Sequence, residues 1–141
     1  MQDNYAKINN IINEYFSNKN SMNETYLLST KDKMLAYMYY FGEMEANSYE
    51  MKNILDAEYE SAKIEKFKQD RADKVAEKTA DYNARLYAMS SKIEFIKKEA
   101  EYRRARNIKE TLSKIIDSIS QKISILRREN EFNQFQKSAN N

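Results

Sequence analysis

KKEAEYRRARNIKETLSKIIDSISQKISILRREN, residues Lys97–Asn130, decides the fold class of this 141-residue chain. Ala105, Ile108, Leu112, Ile116, Ile119, Ile123 and Leu126 recur every three or four positions within it. That spacing places them on one stripe of an α-helix, which needs other helices to cover it, from this chain or from other copies. The first half of the stretch has a different character. Lys97, Lys98, Arg103, Arg104, Arg106 and Lys109 surround a single Tyr102. A basic, aromatic surface of this kind suits a polyanion.

Composition extends the helical reading to the whole chain. There is one glycine, Gly42, and no proline, so the residues that punctuate turns and hairpins are almost absent. Short β-hairpins favour Asn-Gly or Asp-Gly pairs, and neither occurs. Strong helix formers dominate the middle and the end. The expected class is all-α: a long helical hairpin with a short N-terminal helix, assembling through coiled-coil-like seams. Charged residues make up 33% and mean hydropathy is −0.92, which argues against a large compact core. Apolar residues still reach 41%, eleven of the 141 side chains being tyrosine, which is too many for simple disorder.

Missing residue types bound the chemistry. Without histidine or cysteine the chain cannot build the common zinc sites, a cysteine nucleophile or a histidine-based triad. One glycine cannot form a phosphate-binding loop. Carboxylate chemistry stays open, but Asp and Glu on an all-helical chain are mostly solvated. The expectation is a non-enzymatic binding or assembly protein with no cofactor and no metal. No run has the length of a membrane span, and MQDNYAKINN lacks the apolar core of a signal peptide. A cytoplasmic location fits the absence of cysteine.

Outward from the opening stretch, the chain divides into three expected regions. Residues 1–25 form a short helix and linker, 26–131 a long helical hairpin for nucleic-acid binding and oligomerisation, and 132–141 a frayed tail. Asp3 can cap the first helix, whose stripe is Tyr5, Ile8, Ile12 and Tyr15. SNKNSMN, residues 17–23, breaks the pattern. Ser29-Thr30-Lys31-Asp32 resembles a capping sequence for the next helix. The seam of that helix is Met34, Met38, Phe41, Ser48, Met51, Leu55 and Ala62, broadened by Tyr37, Tyr40 and Tyr59. From Lys68 to Asp81 the apolar residues thin out. A continuous solvated helix there would use pairs such as Asp70 with Lys74. A break near Lys78-Thr79, with Thr79 as cap, would instead fold the flanking seams onto each other, and this hairpin is the expectation. The last helix then runs from about Thr79 to Asn130.

Charge is unevenly divided. Residues 1–60 hold five basic and ten acidic side chains, a net of −5, and residues 61–141 hold nineteen and twelve, a net of +7. Two basic clusters are candidate polyanion contacts. The first is Lys63, Lys66, Lys68, Arg71 and Lys74, with Phe67 among them. The second is Arg103, Arg104 and Arg106 with Tyr102. Helical spacing gives each cluster a local face, yet Glu65, Asp70, Glu99 and Glu101 interleave them, as on an ordinary solvated face. The seam residues Leu112, Ile116, Ile119, Ile123 and Leu126 are candidates for oligomerisation, with packing inside one hairpin as the alternative.

LDAEYESAKIEKFKQDRADKVAEKTADYNARL, residues 55–86, and the terminal EAEYRRARNIKETLSKIIDSISQKISILRREN together resemble the UvsY-type recombination mediators of bacteriophages, over roughly residues 27–131. The resemblance implies a homo-oligomer that binds single-stranded DNA and helps a RecA-like recombinase displace single-strand-binding protein, in the host cytoplasm. It also implies DNA contacts at a K-x-K/R step, here Lys66-Phe67-Lys68 with Lys63 and Arg71 near it, and assembly through Leu112 to Leu126. The chain departs from the family pattern in one respect. The family carries a glycine-bearing loop after the basic step, whereas DRADKVAEKTAD has no glycine.

Overall fold

The computed structural model describes residues 2–139, and consists over that range of four α-helices and no strand: α1 (Gln2–Asn18), α2 (Glu24–Ala72), α3 (Glu77–Tyr87) and α4 (Met89–Ala139). Contacts divide the chain into two units. The terminal unit takes the residues up to Phe41 and from Ile108 onward, and the central unit is Gly42–Asn107. The long helices α2 and α4 each contribute to both, and in each unit they run side by side.

The terminal unit is a three-helix core. Ile8 and Tyr15 from α1, Leu27, Met34 and Phe41 from α2, and Leu112, Ile115, Ile116, Ile119 and Ile123 from α4 are buried. On α2 the buried residues repeat every seven positions, and on α4 they follow the three-four spacing, so both helices turn one narrow stripe inward. Burying each such side chain contributes about 1.5–3 kcal/mol. Polar contacts tie the same helices together at the margin. The Tyr15 and Ser118 hydroxyls share a hydrogen bond of 3.3 Å, Lys122 Nζ donates to the Lys19 carbonyl at 2.7 Å, and Arg127 pairs with Glu24 at 2.7 Å. The Tyr26 hydroxyl donates to the Glu14 carboxylate. Leu112, Ile116, Ile119 and Ile123 are therefore covered by the chain's own helices, with Leu126 half-buried beside them.

The central unit is built differently. Its buried residues are Met44, Ser48, Asp70, Ala80, Ala84, Ala88 and Ala105. Four of the seven are alanines, which let helices approach closely but remove little apolar area from water. Between α2 and α4 the contacts are aromatic rings with lysines laid over them. Lys52 Nζ lies 5.2 Å from the Tyr49 ring centre and 4.9 Å from that of Tyr102. Lys92 lies 5.0 Å from Tyr59 and 4.6 Å from Phe95, and Lys63 also caps Tyr59 at 5.0 Å. Such pairs are attracted by the negative ring face, while the lysine stems cover apolar surface.

Helix ends differ from several sequence expectations. Asp3 lies inside α1, in its first turn, and pairs with Lys7. Asn23, six positions before the expected Ser29–Asp32 region, caps α2: its Oδ1 accepts from the Tyr26 N–H at 2.9 Å. Thr30 is instead a buried residue of the helix interior. The turn expected near Lys78-Thr79 falls earlier. The Val75 N–H donates to the Asp70 carbonyl at 2.9 Å and the Lys74 N–H to the Arg71 carbonyl at 3.1 Å. This is the double bond of a Schellman ending, with Lys74 at φ 63° where glycine is usual. Asp70 and Lys74 therefore do not share a helix and form no ion pair. Ala76, not Thr79, precedes α3, and it supplies no side-chain cap. The expected single last helix is interrupted once, at Ala88 (φ −86°, ψ 0°), and it runs on past Asn130 to Ala139, where the tail was expected to fray.

Candidate nucleic-acid interface

Residues of the first basic cluster lie on the last turns of α2 and the turn that follows. Lys66 pairs with Asp70 at 2.8 Å, and Asp70 is buried and also accepts from Asn83 Nδ2 of α3 at 2.7 Å. Hydrogen bonds from Lys66 first and Asn83 second hold the Asp70 carboxyl below the ordinary carboxylate range, and the same contact raises the Lys66 ammonium. Lys66 thus belongs to the link between α2 and α3. Arg71 caps the end of its own helix, donating to the Val75 carbonyl at 2.9 Å. Lys63 pairs with Glu60 at 2.7 Å, which raises its pKa. Lys68 and Lys74 are exposed and form no ion pair among the described residues, as is also true of Lys78. Arg85 of α3, which pairs with Asp81, acts electrostatically on Lys63 and so belongs to this neighbourhood. Between residues 60 and 85 seven basic side chains face six acidic ones, so little net field remains.

The second cluster sits elsewhere in the central unit. Tyr102 meets Tyr49, whereas Lys92 meets Tyr59. Lys66 is therefore about 25 Å from the level of Tyr102 along α2, at 1.5 Å per residue. The two clusters do not form one groove.

Around Tyr102 the structure gathers what sequence spacing could not. The Tyr49 and Tyr102 rings are 5.5 Å apart and inclined at 49°. Lys52 lies over both rings, and Arg106 Nη1 donates to the Tyr102 hydroxyl at 3.4 Å. Tyr49 is half exposed, so one ring of the pair is open to solvent. Arg103 pairs with Glu99 at 2.8 Å on the surface, and Arg104 is exposed with no ion pair among the described residues. From Lys92 to Arg106 there are six basic and three acidic side chains. An open aromatic face rimmed by an excess of cations can accept a base by stacking and hold the neighbouring phosphates.

No family model, curated protein or solved structure matches this chain. The site therefore rests on its own geometry.

Two of its members, Tyr49 and Lys52, escaped sequence reasoning because their partners lie about fifty residues away on α4. Arg85 was missed because the residue it acts on, Lys63, lies on another helix, α2. A further feature was legible and was passed over: Tyr82, Leu86, Met89, Ile93 and Ile96 repeat at four-three spacing. All five are exposed.

Proposed function

We propose that the protein is a non-enzymatic mediator of DNA recombination that binds single-stranded DNA, works as a homo-oligomer, and helps a RecA-like recombinase onto strands covered by single-strand-binding protein. What supports the binding half of this reading is one observation: the Tyr49–Tyr102 pair, half exposed at Tyr49, carries Lys52 over its rings and Arg106 on the Tyr102 hydroxyl. The recombinase half rests on the resemblance of residues 27–131 to the UvsY-type mediators. Each chain offers few uncommitted cations, so useful affinity requires several chains on one strand, each raising the effective concentration of the next site.

Within this reading the Tyr102 cluster takes the main role, and Lys68 and Lys74 of the first cluster extend the path of the strand. Lys66 acts by holding α2 to α3. Fluorescence anisotropy with labelled oligo-dT tests the proposal. Affinity should fall as salt rises, with a log–log slope of about −0.7 for each phosphate contact. Arg104→Ala should make that slope shallower by about 0.7, and Tyr49→Ala should cost about 1–3 kcal/mol of binding through the lost stack. Affinity that ignores salt, or no binding at low salt, sinks it.

A second reading has its own observation. The exposed apolar residues of α3 and α4 favour a helical assembly or regulatory protein that binds another protein. In that case Lys68→Ala with Arg104→Ala leaves function intact, and these two cations serve only to solvate the helices.

A further inference from the structure

Tyr82, Leu86, Met89, Ile93 and Ile96 are 62%, 50%, 44%, 46% and 55% exposed, and Ala100 continues the row. The intervals are four, three, four, three and four residues, the a/d pattern of a coiled-coil seam over nearly three heptads. Leu86, Ile93 and Ala100 take the a positions, and Tyr82, Met89 and Ile96 the d positions. This row differs from the one that packs inside the chain. The inward face of the same segment is Ala80, Ala84, Ala88, Phe95, Tyr102 and Ala105. Ala88 breaks the helical dihedrals but not the helical bonding: its N–H donates to the Ala84 carbonyl at 3.1 Å and its carbonyl accepts from Lys92 at 3.2 Å. The row therefore carries over from α3 to α4.

We propose that this row is an interface between two copies of the chain, paired antiparallel about a two-fold axis at the level of Ser91. Self-complementarity of the register selects the occupant. In an antiparallel pair each a residue meets a d residue of the other copy. Centred on Ser91, Tyr82 meets Ala100 of the second copy, Leu86 meets Ile96, and Met89 meets Ile93, so each of the six apolar positions has an apolar partner. The largest side chain falls opposite the smallest. On one flank the small Ser90 faces its own symmetry mate. At the flanks Arg85 faces Glu99 of the second copy, twice per interface. Lys92 would otherwise face itself, but it is drawn inward over the Tyr59 and Phe95 rings. A parallel pair also sets apolar against apolar, but it places Arg85 opposite Ser90 of the other copy and so lacks the pairing with Glu99. The interface is isologous: one surface, used identically by both chains.

This pairing is independent of DNA binding and is tested without DNA. Light scattering on the full chain should give twice the 16.8 kDa monomer mass, or an even multiple of it. Ile93→Asp should raise the dissociation constant on the order of 100-fold or more, through a charge placed in the seam. Its circular dichroism should be unchanged, since the side chain is exposed within one chain. Arg85→Glu should weaken the pair, and Arg85→Glu with Glu99→Arg should restore it, a rescue that only the antiparallel register allows. A wild-type monomer, an odd-numbered assembly, an Ile93→Asp variant that assembles normally, or a failed rescue would each overturn the proposal.

Discussion

In the terminal unit large apolar side chains build the core: Ile8, Leu27, Met34, Phe41, Leu112 and Ile119 are at most 1% exposed, although others such as Tyr39 and Phe135 stand in solvent. In the central unit alanines and lysine-capped aromatic rings fill the interior, while Tyr82, Leu86, Met89, Ile93 and Ile96 stand outside. The helices α2 and α4 run through both units, so helix propensity does not explain the contrast. What differs is which stripe each segment turns inward. A region that closes over its apolar stripe needs no second molecule to cover that stripe. A region that seals its interior with alanine and leaves a continuous row of five large apolar residues in water has kept surface for another molecule.

The comparison is broken most directly by truncating one isoleucine from each region. Ile119→Ala should cost about 2–5 kcal/mol in urea unfolding, from lost burial and the cavity left behind. Ile93→Ala, measured where the chain is monomeric, should cost less than about 0.5 kcal/mol, as at other exposed positions. Equal costs would remove the distinction between the two units.

The buried carboxylate of the central unit supplies a test by pH. Asp70 titrates below its ordinary value because Lys66 and Asn83 donate to its ionised form. A carboxyl group depressed by folding stabilises the fold above its unfolded pKa, and that stabilisation is lost as pH falls through the lower folded value. Helicity of the central unit should therefore decline in acid, below the ordinary range of about 3.9 for aspartate. Asp70→Asn should lower the melting temperature at neutral pH and flatten this acid limb. A variant that melts like the wild type at pH 7 would remove Asp70 from the link between α2 and α3.

The smallest expected effect concerns the turn. Lys74 adopts φ 63°, a conformation that costs most residues about 1 kcal/mol and glycine almost nothing. Lys74→Gly should raise stability by about 0.5–1 kcal/mol. It also removes an exposed cation, so oligo-dT affinity measured on the same variant separates the structural cost of this lysine from any phosphate contact.

Much of the fold was legible in the chain. Three-four spacing at Ile8 and Tyr15, at Met34 and Phe41, and from Leu112 to Ile123 marked the stripes of the terminal core. The scarcity of glycine and proline excluded sheets. The turn was harder to read, since a Schellman ending is set by backbone hydrogen bonds and here lacks the glycine that usually announces it. The site was harder still. Lys66 reads as a cation in a basic run, yet its charge is balanced by Asp70, whose burial depends on Asn83 thirteen residues later. Tyr49 reads as one tyrosine among eleven until Tyr102 is beside it.

By itself, then, the sequence determined that this chain is helical and where its apolar stripes lie, because helix formation and periodicity are local properties of a few consecutive turns. Tertiary structure decided which stripe is covered. It placed Leu112 to Ile123 inside the terminal unit and left Tyr82 to Ile96 exposed, since burial depends on what an adjacent helix presents. It also sorted the cations, tying Lys66 and Arg71 into the fold and leaving Lys68, Lys74 and Arg104 without ion pairs among the described residues. An ion pair forms where a carboxylate arrives in space, and a one-dimensional charge count does not contain that information.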